Sequence, residues 1–320
     1  MLSRVAERMY WFGRYIERAE NTARLIRVNT SLVMDLPDAK HIWAGTIDIT
    51  GNLAEFEKRF SRVDERNVVK FLLEDESGSI RSSIKLAREN ARTTREIMPT
   101  EVWESVNELH FFIRDNIDKG LKREGRHTFL SEIIALCNQL TGMLAGSMSD
   151  DTAYQFLKLG RHLERADMTT RIVDVGCMNL VTLAEQQNEY DSILWMNVLR
   201  SLTAYQMYRQ HVQDRVNGED VVDFLLRNRQ FPRAVSHCLE QVQKACNGLP
   251  RNEAPIRAIA SVQRLMDSSD VIDLLNSARL HDFIDTLQLD LATIHQELGY
   301  CWFGHEAADR LTADGVIDAA

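Results

Sequence analysis

Two stretches of this chain, GRYIERAENTARLIRV at 13–28 and GRHLERADMTTRIVDV at 160–175, share the pattern Gly-Arg-x-x-Glu-Arg-Ala-acid. They lie 147 residues apart. A second pair of similar stretches follows in the same order, VVKFLLED at 68–75 and VVDFLLRN at 221–228. Two matched pairs in one order indicate the duplication of a unit of about 150 residues.

The duplication predicts two related multi-helix halves, 1–147 and 148–305, followed by a loose C-terminal tail at 306–320. We expect the halves to form one compact unit. The two long helices that carry the repeated pattern would then lie near a pseudo-twofold axis, where contacts resemble those between identical subunits.

Apolar residues recur with the period of an α-helix along nearly the whole chain, and no run alternates as a β-strand does. Only 5 Pro and 15 Gly interrupt the 320 residues, which favours long helices and an all-α fold. The first helix is expected from Leu2 or Ser3 to Met34. Its predicted core stripe consists of Val5, Met9, Phe12, Ile16, Ala19, Ala23 and Ile26. Further helices are predicted near 40–60, 65–74, 79–98, 101–120, 128–146, 151–185, 191–212, 219–227, 232–247, 255–268 and 278–303.

The composition is that of an ordinary soluble globular protein, with 44% hydrophobic and 27% charged residues. A formal net charge of −9 argues against general nucleic-acid binding, which needs a basic surface. The charged opening MLSRVAERMYWFG does not resemble a secretory signal, and no run of about 20 apolar residues predicts a membrane span. Five scattered cysteines indicate buried free thiols in a reducing cytoplasm.

The repeated pattern places a polar stripe along each long helix, because side chains three and four residues apart share a face. The first ER stripe consists of Arg14, Glu17, Asn21 and Arg24, and the second ER stripe of Arg161, Glu164, Met168 and Arg171. Arg18 and Arg165 cannot pair with the glutamates beside them, since neighbours in sequence point about 100° apart on a helix. Reciprocal pairs, Glu17 with Arg165 and Glu164 with Arg18, are one geometry that pseudo-symmetry allows.

Two interpretations of the stripes stay open at this point. In the first, buried ion pairs fix the register of the two long helices. In the second, the arginines bind a carboxylate or phosphate, and Glu17 or Glu164 binds an amine or acts as a general base.

Further arginines are weaker candidates for binding. The segment RENARTTRE at 88–96 places Arg92 on an arginine-rich face. This face either borders the binding groove that the two ER stripes would line or is ordinary solvated surface. Arg81 lies near a predicted helix start, where an arginine and free backbone amides can hold an anion. The other interpretation of Arg81 is an ordinary surface arginine.

Neither a metal site nor a bound cofactor is predicted. The one Glu-x-x-His match, at 124–127, lies beside a glycine-containing segment and is not repeated. The chain has no GxxxxGK[ST] loop, no GxGxxG after a strand and no GxSxG elbow, so it lacks the motifs for nucleotide chemistry of its own.

At these residues the chain resembles the bacterial alpha-E family, an all-helical family named for its conserved ER motif. The resemblance covers about 1–303 in the family's order. It rests on MYWFGRYIERAENTARLIRVN, FLKLGRHLERADMTTRIVDV, SIRSSIKLARENARTTRE and FLLRNRQFPRAVSHCL. The resemblance implies that Glu17, Arg18, Glu164 and Arg165 matter, because they occupy the naming motif.

The resemblance also implies a functional context. Alpha-E proteins are typically encoded beside, or fused to, circularly permuted ATP-grasp proteins and transglutaminase-like cysteine proteases. We therefore expect a cytoplasmic partner or accessory protein of an ATP-grasp amide ligase, which binds the ligase or a peptide-like or carboxylate substrate through an Arg/Glu groove. The alternatives are a helical enzyme acting on peptide-like amide bonds with an ER glutamate as general base, or an assembly scaffold. A transglutaminase-like protease as a second partner and homo-oligomerisation stay open, whereas nucleic acid and membrane are not expected as partners.

Overall fold

The computed structural model describes residues 1–36, 42–184, 191–276 and 279–304, and every regular element in those ranges is helical. The all-α prediction is confirmed. Seven α-helices come before residue 150: α1 Ser3–Asp35, α2 Ile42–Thr50, α3 Leu53–Arg59, α4 Glu65–Glu74, α5 Ile80–Thr93, α6 Thr100–Leu121 and α7 Arg123–Ser147. A short 3-10 helix, Arg95–Ile97, follows α5. The predicted tail lies outside the described residues.

The remaining described helices follow in a similar succession. They are α8 Thr152–Ala184, α9 Asp191–Ser201, α10 Tyr205–His211, α11 Gly218–Arg227, α12 Val235–Asn247, α13 Glu253–Ser268, α14 Val271–Asn276 and α15 Leu280–Leu298. A π-helical turn, Gly299–Phe303, continues α15. The two longest helices, α1 and α8, have 33 residues each and carry the two ER stripes.

Helix α1 is surrounded by other parts of the protein along most of its length. Six of the seven residues of its predicted core stripe are buried, and Val5 at the N-terminal end is half-buried. Trp11, Leu25 and Leu32, which lie outside that stripe, are buried as well. The polar stripe of α1 therefore lies on a helix that has little solvent-facing surface.

The chain forms two compact units. One consists of Arg8–Arg161, and the other of Met1–Glu7 with the described residues from His162 onwards. Both boundaries fall inside the long helices, so α1 and α8 each contribute residues to both units.

The unit Arg8–Arg161 is built on a helical hairpin of α6 and α7, against which α5 packs through α6. Helix α4 contacts α2, α5 and α6. Aromatic rings fill the core of this unit. Phe56 and Phe71 pack edge to face at 5.4 Å, and Phe112 stacks on Phe129 at 5.6 Å. Such pairs add to the stabilisation that burial of the rings already provides.

The other unit has a related pattern of contacts. Helix α11 packs on α9, α12, α13 and α14, and α13 packs on α12 and α15. Phe224 lies at its centre, edge to face with Tyr208 at 5.7 Å and close to Phe231 at 5.1 Å.

Several helix boundaries differ from the predictions. The segment 40–60 is broken by Gly51, which has a φ of +67°, and 191–212 is broken at Thr203, which has a φ of +54°. Helix α7 begins at Arg123 rather than near 128, and α14 was not predicted. The breaks separate α2 from α3 and α9 from α10, because a left-handed residue cannot continue an α-helix.

One helix in the described part of the chain, α7, is long and apolar enough to cross a membrane by length and composition alone. Its apolar side chains pack inside its unit, where Phe129, Leu130, Ile133 and Leu140 are buried. The core helix of a globular unit has the same composition, and the contacts of α7 are those of such a helix.

Candidate functional site

The four side chains of the first ER stripe are all buried. Glu17 is 1% exposed, and Arg14, Asn21 and Arg24 are 7% exposed or less. Their spacing brings them onto one face of α1, as the sequence predicts. Because an isolated buried charge is costly, such groups need polar partners inside the protein.

Part of that pairing runs along α1 itself. Asn21 Nδ2 donates to Glu17 Oε1 at 3.3 Å, and Arg14 Nη1 donates to the Tyr10 hydroxyl at 3.3 Å. The Arg14 guanidinium also stands 5.3 Å from the centre of the Trp11 ring. An arginine held by a hydroxyl and an aromatic ring is fixed in position even before any ligand is considered.

Glu20 is a buried member of this polar region that sequence reasoning missed as a site residue. It accepts hydrogen bonds from Arg24 Nε at 2.9 Å and Arg24 Nη2 at 2.7 Å. Arg171 Nε likewise lies 3.1 Å from both carboxylate oxygens of Asp167, the corresponding acid of the second copy. The spacing of four residues between acid and arginine was the available signal.

Cys137 of α7 lies close to the first ER stripe. Complete burial raises the pKa of its thiol well above the usual value, and the nearby carboxylates of Glu20 and Glu17 raise it further. A thiol in this setting is a poor nucleophile, since the thiolate is the reactive form.

The glycines that open the two patterns mark a close crossing of α1 and α8. A Cβ atom on Gly13 would lie 2.4 Å from the Leu157 carbonyl oxygen, and one on Gly160 would lie 1.9 Å from the Tyr10 carbonyl oxygen. Both contacts are with backbone, which cannot rotate away. The pattern therefore begins with glycine because the two helices touch there through their main chains.

The second ER stripe is less uniformly buried than the first. Glu164 is 2% exposed and Met168 is buried, whereas Arg161 and Arg171 are half-buried. Met168 occupies the position of the polar Asn21, so the two copies are not equivalent here.

Arg18 and Arg165, which follow the ER glutamates in sequence, are both half-buried and contact different kinds of neighbour. The Arg18 guanidinium stands 5.8 Å from the centre of the Tyr15 ring. Arg165 Nη1 donates to the Pro232 carbonyl at 3.4 Å, just before α12. The reciprocal pairs of Glu17 with Arg165 and Glu164 with Arg18 stay a prediction.

The weaker candidates lie on the surface of α5. Arg81 is exposed in the first turn of the helix, and Arg92 is exposed and paired with the exposed Glu89 at 2.6 Å. Both have the properties of ordinary solvated arginines. The buried residues of the first ER stripe do not share that environment.

One group of metal-ligand types in the described residues has its donor atoms within 4.8 Å of one another: Asp174, His281 and Asp285. His281 Nδ1 lies 2.8 Å from Asp174 Oδ1, and His281 Nε2 lies 3.6 Å from Asp285 Oδ2. Each ring nitrogen thus faces a different carboxylate, which is the geometry of an imidazolium between two acids. Sequence reasoning missed this group because its members come from two helices.

The five cysteines are free thiols. Cys137, Cys238 and Cys246 are buried, as the sequence predicts, whereas Cys177 and Cys301 are half-buried. Burial raises the pKa of Cys177 to about 11 and that of Cys246 to about 12.

The fold and these contacts define a class of protein: all-helical, with an ER pair on each of two long helices and with both ER glutamates buried. Over residues 1–303 the chain matches the Alpha-E family, described as "a predicted alpha-helical domain with a conserved ER motif". The chain belongs to this family, and the resemblance is confirmed.

Curated relatives include uncharacterized proteins of Mycobacterium bovis and of two strains of Mycobacterium tuberculosis. Each is 22% identical over 275 residues, an alignment that covers 79% of this chain and 30% of the relative. The chain thus spans under a third of the length of these relatives. No solved structure matches it significantly.

Proposed function

We propose that this protein is a non-catalytic, cytoplasmic partner of an ATP-grasp amide ligase, and that its ER residues hold the two long helices in register. The observation that carries the proposal is the burial of both ER glutamates, at 1% and 2% exposure. A general base must reach the proton that it removes from a substrate. Glu17 and Glu164 are enclosed by protein instead.

The relatives support the partner role. In the mycobacterial proteins the matching region is 30% of a longer chain, so a region of this kind is there joined to other sequence. A helical module that is linked to other regions in some proteins is suited to act beside a separate partner in others. The identity of that partner as a circularly permuted ATP-grasp ligase comes from the family resemblance.

Burial also bears on the alternatives. A ligand groove along the first ER stripe needs exposed arginines, and Arg14 and Arg24 are buried. An ER glutamate that acts as a general base would likewise have to be accessible to a substrate. Neither alternative gains support from a specific contact, whereas the buried Arg24 already has its carboxylate partner, Glu20, within α1.

We further propose that the chain arose by duplication. Helices α4 and α11 have ten residues each and begin 153 residues apart. Their N-cap side chains, Asp64 and Asn217, each accept a hydrogen bond from the backbone amide three residues on. After each helix, Asp75 and Asn228 accept from the amide two residues on. Equivalent caps at equivalent spacing are the signature expected of two copies of one unit.

The packing of the helices supports the same proposal. The contacts of α4 with α2, α5 and α6 correspond to those of α11 with α9, α12 and α13. The crossing of α1 and α8 is reciprocal, since Gly13 meets Leu157 and Gly160 meets Tyr10. An experimental structure in which 3–98 and 150–247 fail to superpose helix by helix would contradict the duplication.

The test of the partner role is a direct binding measurement. The purified protein is mixed with the circularly permuted ATP-grasp protein of the same organism, at roughly 10 µM each, with ATP and magnesium. We expect a stable complex by analytical ultracentrifugation, and none with an ATP-grasp enzyme that is not circularly permuted. Absence of a complex with the permuted enzyme would refute the proposal.

A further inference from the structure

An ordered row of aromatic and polar side chains lies on the outer face of α6. Trp103, Asn107 and Phe111 are spaced four residues apart, so they follow one another along a single stripe. Trp103 and Asn107 are half-buried, and Phe111 is 41% exposed. The neighbouring helix α5 places Arg88 against the middle of this row.

Arg88 is held in the row by three contacts. Its Nε donates to Asn107 Oδ1 at 2.6 Å, and Asn107 Nδ2 in turn donates to the Trp103 carbonyl at 2.9 Å. The guanidinium lies 5.6 Å from the centre of the Trp103 ring and 5.7 Å from that of Phe111. An arginine between two aromatic rings has lost most of its rotamer freedom before it meets a partner.

The far end of Arg88 is available for a ligand. Nε is engaged by Asn107, and no acceptor in the described part of the chain is hydrogen-bonded to its two Nη groups. The Nη pair of a fixed, planar guanidinium matches the two oxygens of a carboxylate. This arrangement (Arg88 with Trp103, Asn107 and Phe111) is called the Arg88 clamp below.

Basic groups outnumber acidic ones around His110, beside the clamp, although the protein as a whole carries −9 and the exposed Glu104 and Glu108 lie on the same helix. Burial lowers the pKa of His110, and the positive charges of Arg88, Arg114 and Lys85 lower it further. Asp115 opposes them, but it is already paired with Arg114 at 2.7 Å. A carboxylate that approaches Arg88 from the His110 side of the clamp is therefore attracted.

Phe111 supplies an apolar contact beside the charged one. The Arg114 guanidinium lies 4.7 Å from its ring centre, so two arginines lie close to this ring. Exposed aromatic rings and arginines are the residue types enriched at the centres of protein interfaces.

We propose that the Arg88 clamp binds an acidic segment of a partner protein, with a carboxylate on the Nη groups of Arg88 and an apolar side chain on Phe111. The identification of that partner as the ATP-grasp ligase rests on the proposed function. The chemistry of the segment, acidic with an apolar residue, follows from the surface itself.

The first experiment tests the surface without the ligase. The full chain is titrated with the peptide Glu-Glu-Leu-Glu-Asp-Leu-Glu-Glu and with a counterpart carrying Gln and Asn in place of the acids. We expect the acidic peptide to bind about tenfold more tightly or better, and Arg88→Gln to remove that difference. Arg66→Gln, on the exposed surface of α4, is the matched control and should bind like the wild type.

A second variant checks the apolar contact. Phe111→Ala keeps Arg88 and should weaken binding of the acidic peptide severalfold. Equal affinity for the two peptides, or equal affinity of Arg88→Gln and Arg66→Gln for the acidic peptide, would overturn the proposal. Circular dichroism of each variant ensures that only folded proteins are compared.

The last experiment measures binding of the same variants to the ATP-grasp ligase. Loss of the ligase complex on Arg88→Gln, with Arg66→Gln unaffected, would place the ligase's segment in the clamp. An unchanged complex in Arg88→Gln would overturn the assignment of the clamp to the ligase, while the partner role would stand. Discrimination between the peptides without any ligase complex would support the clamp and refute the partner role instead.

Discussion

At the scale of single residues, His281 is a titratable group whose neighbours fix the sign of its effect on stability. Its hydrogen bond with Asp174 raises its pKa above 6.5, and the charges of Asp285 and Asp282 add to this. Burial raises the pKa of Asp174, which Arg171 and His281 partly offset. The protonated ring therefore stabilises the contact between α8 and α15.

A raised pKa in the folded state means that this stabilisation is complete below pH 6.5 and is lost as the pH rises through the folded value. His281→Gln should therefore destabilise the protein most near pH 6 and less by about pH 9. Denaturant unfolding across this range measures the difference, with the exposed His127→Gln as control. A cost of His281→Gln that grows with pH would contradict the assignment. Because the His281 side chain is 47% exposed, solvent screens its charge, and the change in the free energy of unfolding should be small.

The thiols give a second residue-scale prediction. Native protein treated with a thiol reagent near neutral pH should be modified at Cys177 and Cys301 at most, because Cys137, Cys238 and Cys246 are buried. The raised pKa values slow even the accessible thiols, since little thiolate is present. Mass spectrometry of the labelled protein counts the sites. Rapid modification of four or five would be incompatible with the structure.

Sequence reasoning located the ER stripes but not their environment. The spacing of Arg14, Glu17 and Asn21 is a local property of one helix, so it could be predicted. Their burial depends on α7 and the other helices that enclose α1, and no local pattern encodes it. Glu20 was not predicted as a site residue, although its spacing of four residues from Arg24 is a local signal of an ion pair.

At the scale of helices, the crossing of α1 and α8 is the contact most sensitive to change. Gly13→Ala or Gly160→Ala places a methyl group within 2.4 Å of a backbone oxygen, so the helices must separate. We expect each to cost about 3 kcal/mol or more in the free energy of unfolding.

The matched control for these substitutions is Gly142→Ala. Gly142 lies on exposed surface within α7, and nothing lies within 4 Å of its added methyl group. Gly142→Ala should raise the free energy of unfolding by about 0.5–1 kcal/mol, since alanine favours the helix over glycine. Thermal or denaturant unfolding of all three variants measures the contrast. Similar stabilities for the three would show that the crossing is looser than described.

Most helix positions followed from apolar periodicity. Helices α4 and α11 were predicted to within a residue at each end from the apolar residues on one face, and the structure shows that Asp64 and Asn217 cap them. The breaks at Gly51 and Thr203 were missed. Apolar periodicity continues through both, and a left-handed threonine carries no sequence signal of its own.

At the scale of the whole molecule, the described protein is all-helical, and its two longest helices, α1 and α8, each carry a buried ER glutamate. The duplication that we propose rests on two pairs of similar stretches in the sequence and on the matching caps and contacts of α4 and α11 in the structure.

The central claim is that the ER glutamates hold the fold together rather than act on a substrate. The measurement that tests it most directly is denaturant unfolding of Glu17→Ala and Glu164→Ala beside the wild type. Both carboxylates are buried, and that of Glu17 accepts a hydrogen bond from Asn21, so each substitution leaves buried polar partners unsatisfied and should cost about 3 kcal/mol. Glu89→Ala, which breaks only the exposed pair with Arg92, should leave stability nearly unchanged. Wild-type stability of both ER variants, together with lost function in the native host, would contradict the account and identify a ligand site.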